Sequence, residues 1–183
     1  MIDDTAERGS PEQTWDTLYA KVNAWRGECM HHISCVEQAV TETLLAIDTA
    51  FPTLHVKLRH LTGQRFEDLL AVLATDGRFG EHGAKVVDAL THYRSSHEAF
   101  RASLCHGVIK VLLERGGRPT ILIRSLTIRA RQAEKVTLAL EEVEATAKVE
   151  ALRRDRMKLV GLLAHVRRNV AGTHRPTPLA NGA

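Results

Sequence analysis

The sequence predicts an all-α fold: a helical bundle with a small β-hairpin inserted before a long C-terminal helix. Three observations carry this. Apolar residues fill 44% of the 183 positions while aromatics reach only 4%, so Leu, Val, Ile and Ala must build the core, a composition suited to helices. Apolar positions recur at steps of three and four over long stretches, the spacing of one helix face. That period breaks once, around the dipeptide Gly116-Gly117, where two short apolar runs of strand length flank turn residues.

Taken in order, residues 1–11 are polar and expected to be disordered. Ser10-Pro11-Glu12 has the form of a helix start, with a capping hydroxyl followed by proline at the first helical position. From Trp15 to Phe51 the spacing is helical through Leu18, Val22, Trp25, Met30, Ile33, Val36, Val40, Leu44 and Ile47, and Pro52 ends the run. Gly27, inside it, marks either a break or a close helix contact. A second helix is expected over Arg65–Leu73, with Gly80 and Gly83 in the turn-rich connection that follows Asp76-Gly77. The third helix carries one stripe, Val86, Leu90, Tyr93, His97, Phe100 and Leu104, and Gly107 stands where a left-handed cap would end it. VIKVLLE and PTILIRSL then read as the two strands of the hairpin, with Pro119 pointing to an edge strand. From about Thr127 to Asn169 the composition is helical again. A helix of ~40 residues would span about 60 Å, so it is expected to kink, break or protrude. The expectation is a single domain over residues 12–169 and a disordered tail over 170–183.

Charge and cysteine content narrow the function classes. A net charge of +3 permits a nucleic-acid partner without demanding one. No apolar run approaches the ~20 residues of a membrane span, and the acidic N-terminus is the opposite of a secretory signal. Cys29, Cys35 and Cys105 are an odd, sparse set, pointing to a reduced, cytoplasmic protein.

The stretch FRASLCHG, Phe100–Gly107, is the one segment where chemistry-bearing residues meet a well-marked helix end. Spacing alone does not single it out. With 18 arginines and 10 histidines in the chain, chance supplies about one Arg-x4-His pair, and Arg26 with His31 forms another. Context does: His106 falls in the last turn of the best-patterned helix, directly before a glycine, whereas His31 sits mid-helix. Imidazole titrates near neutral pH and can move a proton, and a guanidinium fork suits phosphate oxygens. Five residues turn an α-helix by ~500°, leaving Arg101 and His106 about 140° apart, so one continuous helix cannot aim both at one phosphate. Either the terminus unwinds or two such segments meet across a twofold axis.

RASLCHG followed by a hairpin resembles the helix-terminal motif of the HEPN superfamily, Arg-x4–6-His, often written Arg-Asn-x-x-x-His-Gly. The order around it is similar too: a first helix carrying a glutamate (Glu37, in ISCVEQAV), a short second helix, the motif helix and a final helix, over roughly residues 15–168. The resemblance implies a metal-independent endoribonuclease of toxin or phage-defence type. It makes Arg101 the phosphate clamp and His106 the acid/base, in a homodimer acting on RNA with an antitoxin-like protein as a further partner. His97, Glu37 and Cys105 are the side chains expected to support the pair. Ala102 departs from the polar residue common after the arginine. Two other readings stand beside this one: a non-catalytic HEPN-like dimer that binds a protein or nucleotide partner, and a helical interaction module whose long C-terminal helix docks a partner. On the bland reading, Arg101 pairs with Glu98 or Glu37 and His106 bonds the last carbonyls of its helix.

Two further groups of residues carry candidate chemistry. ECMHHISC places His31 and Cys35 on one helix face, but one turn supplies two ligands and no second pair stands at zinc-site spacing, so neither metal nor cofactor is expected. Arg153, Arg154 and Arg156 in ALRRDRMK form either a phosphate-contacting rim or the basic end of a helix whose acidic residues come first, an order that complements the helix dipole.

Overall fold

Helix α1 runs from Pro11 to Ala50, forty residues without interruption. The computed structural model describes residues 11–113, 118–129 and 132–173. After a single 3₁₀ turn at Pro52–Leu54 come α2 (Thr62–Thr75) and α3 (Gly80–His106), then β1 (Val108–Leu113), β2 (Pro119–Arg129), β3 (Gln132–Glu141) and α4 (Glu142–Thr173). The fold is thus mostly helical, with one three-stranded antiparallel sheet of order β1-β2-β3.

The third strand corrects the expectation of an all-α chain with a two-stranded hairpin. Where a helix was expected from about Thr127, residues 127–129 continue β2 and 132–141 form β3, and α4 begins only at Glu142. Val136, Leu138 and Leu140 do alternate at the two-residue period of a strand, but Ala133, Glu134, Lys135 and Ala139 around them favour helix, and pairing along β2 overrides that propensity. With α4 only 32 residues long, no 40-residue C-terminal helix has to kink or break. Its start is capped from within: the Glu141 backbone N–H donates to the Glu144 carboxylate at 2.9 Å, while Glu142 and Glu144 face the positive end of the helix dipole. Pro119 opens a central strand, not an edge strand. As the first residue of β2, opposite Leu113, it spoils no interior ladder bond. Gly116-Gly117 lies outside the described residues, as do residues 1–10 and 174–183; Pro11 already belongs to α1, and α4 extends four residues beyond Asn169.

Four glycine assignments change. Gly27 neither breaks α1 nor sits at a helix contact, since a Cβ there would meet nothing within 4 Å. Gly80 opens α3 with φ at +46°, and Gly83 lies within that helix. There a Cβ would come within 3.0 Å of the Leu73 carbonyl oxygen at the end of α2 and 2.6 Å of Phe79 Cβ. Gly107 does not take the left-handed conformation of a helix cap. It is required by close approach, because a Cβ would lie 2.5 Å from Ile123 Cγ2 and would collide with the Ser103 carbonyl oxygen.

The described chain forms two compact units. One holds α1 up to His31 together with Ala99–Ala151; the other holds His32–Glu98 and α4 from Leu152 onward. In the second unit the core is helical. Val36, Val40, Leu44 and Ile47 of α1 join Phe66, Leu69 and Leu73 of α2, Val86, Leu90 and Tyr93 of α3, and Leu159, Leu163, Val166 and Val170 of α4. Each fully buried Leu or Ile contributes roughly 1.5–3 kcal/mol of transfer free energy. The connection before α2 is pinned by Arg59, whose Nε and Nη2 grip both Asp68 carboxylate oxygens at 2.8 and 2.6 Å, a bidentate geometry. In the first unit, Val111, Ile121, Ile123 and Leu140 bury the inner sheet face, and Val22, Phe100, Leu104, Ala145 and Val149 are buried on the helices.

Two glycine substitutions should move stability in opposite directions. Gly27→Ala is expected to stabilise by about 0.5–1 kcal/mol, since it removes backbone freedom from the unfolded chain and fills open space. Gly107→Ala is expected to destabilise by about 1–3 kcal/mol through overpacking. Urea unfolding of the two variants checks this, and the opposite ranking would contradict the packing described.

Candidate functional site at the end of the third helix

Helix α3 stays helical through His106, so Arg101 and His106 lie on one regular helix, about 140° apart, and the terminus does not unwind to converge them. His106 is exposed; Arg101 and Cys105 are half-buried. The chain leaves the helix at Gly107, whose N–H donates to the Ser103 carbonyl at 2.8 Å, and enters β1 at Val108. Because position 107 has no room for a side chain, the exit is tight and His106 is the last side chain before the sheet.

Two cations from other elements reach this helix end, and sequence reasoning missed both roles. Arg26 of α1 donates through Nη2 to the Leu104 carbonyl oxygen at 2.6 Å, covering one of the acceptors that a helix C-terminus leaves open. Lys148 of α4 places its Nζ 5.5 Å from the centre of the Phe100 ring, next to Arg101 in the chain. Trp25 fixes this arrangement: its Nε1–H donates to the Ala145 carbonyl at 2.9 Å, and its ring lies 6.1 Å from that of Phe100. Arg26 belongs to the other Arg-x4-His pair. The signal that could have found it is its position beside Trp25 on a face of α1 that turns inward.

His97 belongs to the other unit, and there it does structural work. It is 4% exposed, and its Nε2 lies 2.9 Å from Asp155 Oδ2. The Tyr93 ring is 4.9 Å away. Arg154 donates through Nε to Asp155 Oδ1 at 3.1 Å, and the exposed His92 stands 3.6 Å from Oδ2. Burial pushes the Asp155 carboxyl up, but the hydrogen bonds from His97 and Arg154 outweigh it and hold the group below its ordinary range. Asp155 was legible in principle. It stands between Leu152 and Leu159 on the buried stripe of α4, as His97 stands on that of α3, and two ionisable residues on apolar stripes call for each other.

The remaining candidates also fall in that unit. Glu37 is half-buried, and its carbonyl accepts from Thr41 Oγ1. Arg153 is exposed, Arg154 is engaged with Asp155, and Arg156 is half-buried with Nη1 3.9 Å from Cys35 Sγ. In the first unit, burial, aided by Glu28, pushes the Cys29 thiol up to about 12, so it is a neutral core residue at physiological pH. Among the described residues no three His, Cys, Asp or Glu side chains stand together as metal ligands, and no helix is long and apolar enough to cross a membrane. No family model, curated protein or solved structure matches the chain.

Asp155→Asn is expected to lower stability by about 1–3 kcal/mol at pH 7, since it removes the charge that His97 and Arg154 bind. The folded carboxyl titrates below its unfolded value of about 4, so its contribution is complete above pH 4 and is lost as pH falls through the depressed folded value. Wild type and variant should therefore converge in unfolding free energy toward the most acidic pH at which both still fold. A gap that stays constant down to that pH would show that the charge of Asp155 is not what stabilises.

Proposed function

We propose that this chain is a HEPN-like, metal-independent endoribonuclease, or a descendant of one, with its reactive groups at the end of α3. The observation that carries the reading is the concentration of phosphate-binding and proton-transferring groups there. An exposed imidazole, His106, ends the helix; Arg101 precedes it by five residues; Arg26 and Lys148 bring two more cations to the last two turns. His106 moves the proton of the attacking 2′-hydroxyl or of the leaving oxygen. Arg101 holds the phosphoryl oxygens as negative charge builds on them. With the two side chains about 140° apart on one helix, a single phosphate meets both only when His106 comes from one protomer and Arg101 from its partner, so the active species is a homodimer. Ala102 favours a second reading, in which the same dimeric cleft binds RNA, a nucleotide or an antitoxin-like protein without cleaving. A hydroxyl or amide at that position would have supplied a further hydrogen bond to the phosphate.

Cleavage of RNA by this route should persist in excess chelator and leave a 2′,3′-cyclic phosphate. His106→Ala should lose ~10²–10⁴ in rate, and Arg101→Lys should fail as well because a point charge replaces the fork. Both variants must keep the wild-type unfolding temperature for the losses to count. Wild-type protein that cuts no RNA in chelator would remove catalysis and leave the binding reading. Cleavage that survives His106→Ala would place the reaction elsewhere.

A further inference from the structure

The inner face of the sheet is buried around Val111, Ile121, Ile123 and Leu140, and the outer face carries exposed large apolar side chains at four of its five levels; at the remaining level, between Lys110 and Ala139, Leu122 is only 7% exposed. Val108 is 63% exposed, Leu112 48%, Leu126 60% and Ile128 78%. The register puts these four on one face, with Val108 opposite Arg124, Leu112 opposite Thr120, Leu126 opposite Lys135 and Ile128 opposite Ala133. Beyond Arg124 the β2–β3 ribbon continues without β1, so Leu126 and Ile128 stand on a two-stranded extension. From the Thr120 row to Ile128 the face is about 26 Å long at 3.3 Å per residue. Exposed Val108, Leu112, Leu126 and Ile128 along this face, on both sides of the buried Leu122, make a surface that calls for a cover.

Charge and side-chain size say what kind of cover fits. The charged residues set among the apolar ones are Lys110, Arg124 and Lys135, all cations and all exposed, and Glu141 enters only at the far end row. A second copy stacked through this face would bring an equal set of cations against them, which disfavours self-association. On β3 the same face presents the small Ala133, Thr137 and Ala139, with Lys135 among them, beside the larger Leu126 and Ile128 of β2. We propose that the outer face of the sheet docks an acidic amphipathic helix of a partner protein, its apolar stripe over β2 and β3 and its carboxylates on Lys110, Arg124 and Lys135. A helix of about 18 residues, some 27 Å long, matches the length of the face. This surface is separate from the chemistry assigned to Arg101 and His106 and stands whether or not the chain cleaves RNA.

The test uses the full chain and a labelled synthetic 18-residue peptide with leucines on one helix face and glutamates flanking them, set against a twin carrying lysine for every glutamate. Fluorescence anisotropy should show saturable binding of the glutamate peptide and at least about tenfold weaker binding of its twin, the contrast shrinking as salt rises. Ile128→Asp and, separately, Lys135→Glu should each weaken the glutamate peptide by about tenfold or more, with unfolding curves unchanged because both positions are exposed. Equal binding of the two peptides, or binding indifferent to Ile128→Asp, overturns the proposal. So does a dimer in light scattering that Ile128→Asp dissolves, which would make a second copy the occupant. Sedimentation with phosphatidylserine vesicles that Ile128→Asp abolishes overturns it in favour of a lipid surface.

Discussion

The absence of a side chain at position 107 is the constraint on which the first unit depends. Helix α3 and strand β2 approach so closely there that a Cβ would overlap Ile123 and the Ser103 carbonyl. That contact ends a 27-residue helix within one residue, sends the chain straight into β1, and leaves His106 exposed at the final turn. It also sets Ile123, 1% exposed, at the centre of the buried sheet face, so that helix end and sheet core are stabilised by one contact. A freer linker would let the helix end fray. The tight exit holds the terminal carbonyls where Arg26 can reach Leu104.

Two histidines of α3 stand in contrasting environments. His97 and His106 are nine residues apart on the same helix. His97 is sealed in the core against Asp155, a carboxylate already shared with Arg154, so its protons serve the packing of α3 on α4. His106 is solvent-accessible, and Arg26 binds the carbonyl two residues before it. Of the two, only His106 is open to solvent. The cations of α4 divide in the same way: Arg154 and Arg156 are committed within their unit, while Lys148 lies over Phe100 at the candidate site.

How much of this was legible follows from the range of the forces involved. The stripes of α1 and α3 were readable because burial on one helix face imposes a local 3.6-residue period, and all six residues of the α3 stripe are buried. The motif position at a helix end before a glycine was readable for the same reason, although the role of Gly107 was not, since close approach involves Ile123, sixteen residues away. Strand β3 was missed because its helix-favouring residues outvoted the alternation of Val136, Leu138 and Leu140, and only pairing with β2 decides the matter. Arg26 and Asp155 were missed as functional partners because hydrogen bonds to Leu104 and His97 span 78 and 58 residues. No local period records such pairs.

The central claim is that one phosphate is held by Arg101 of one protomer and worked on by His106 of the other, and a mixed-dimer complementation measures it directly. His106→Ala and Arg101→Ala proteins, each inactive alone, are unfolded together in equal amounts and refolded, then assayed for RNA cleavage in chelator. Random pairing makes half of the dimers mixed, and each mixed dimer has one complete site, so activity should return to about a quarter of wild type. Mixed dimers that form, by mass, and stay inactive while wild type cleaves would contradict the shared site.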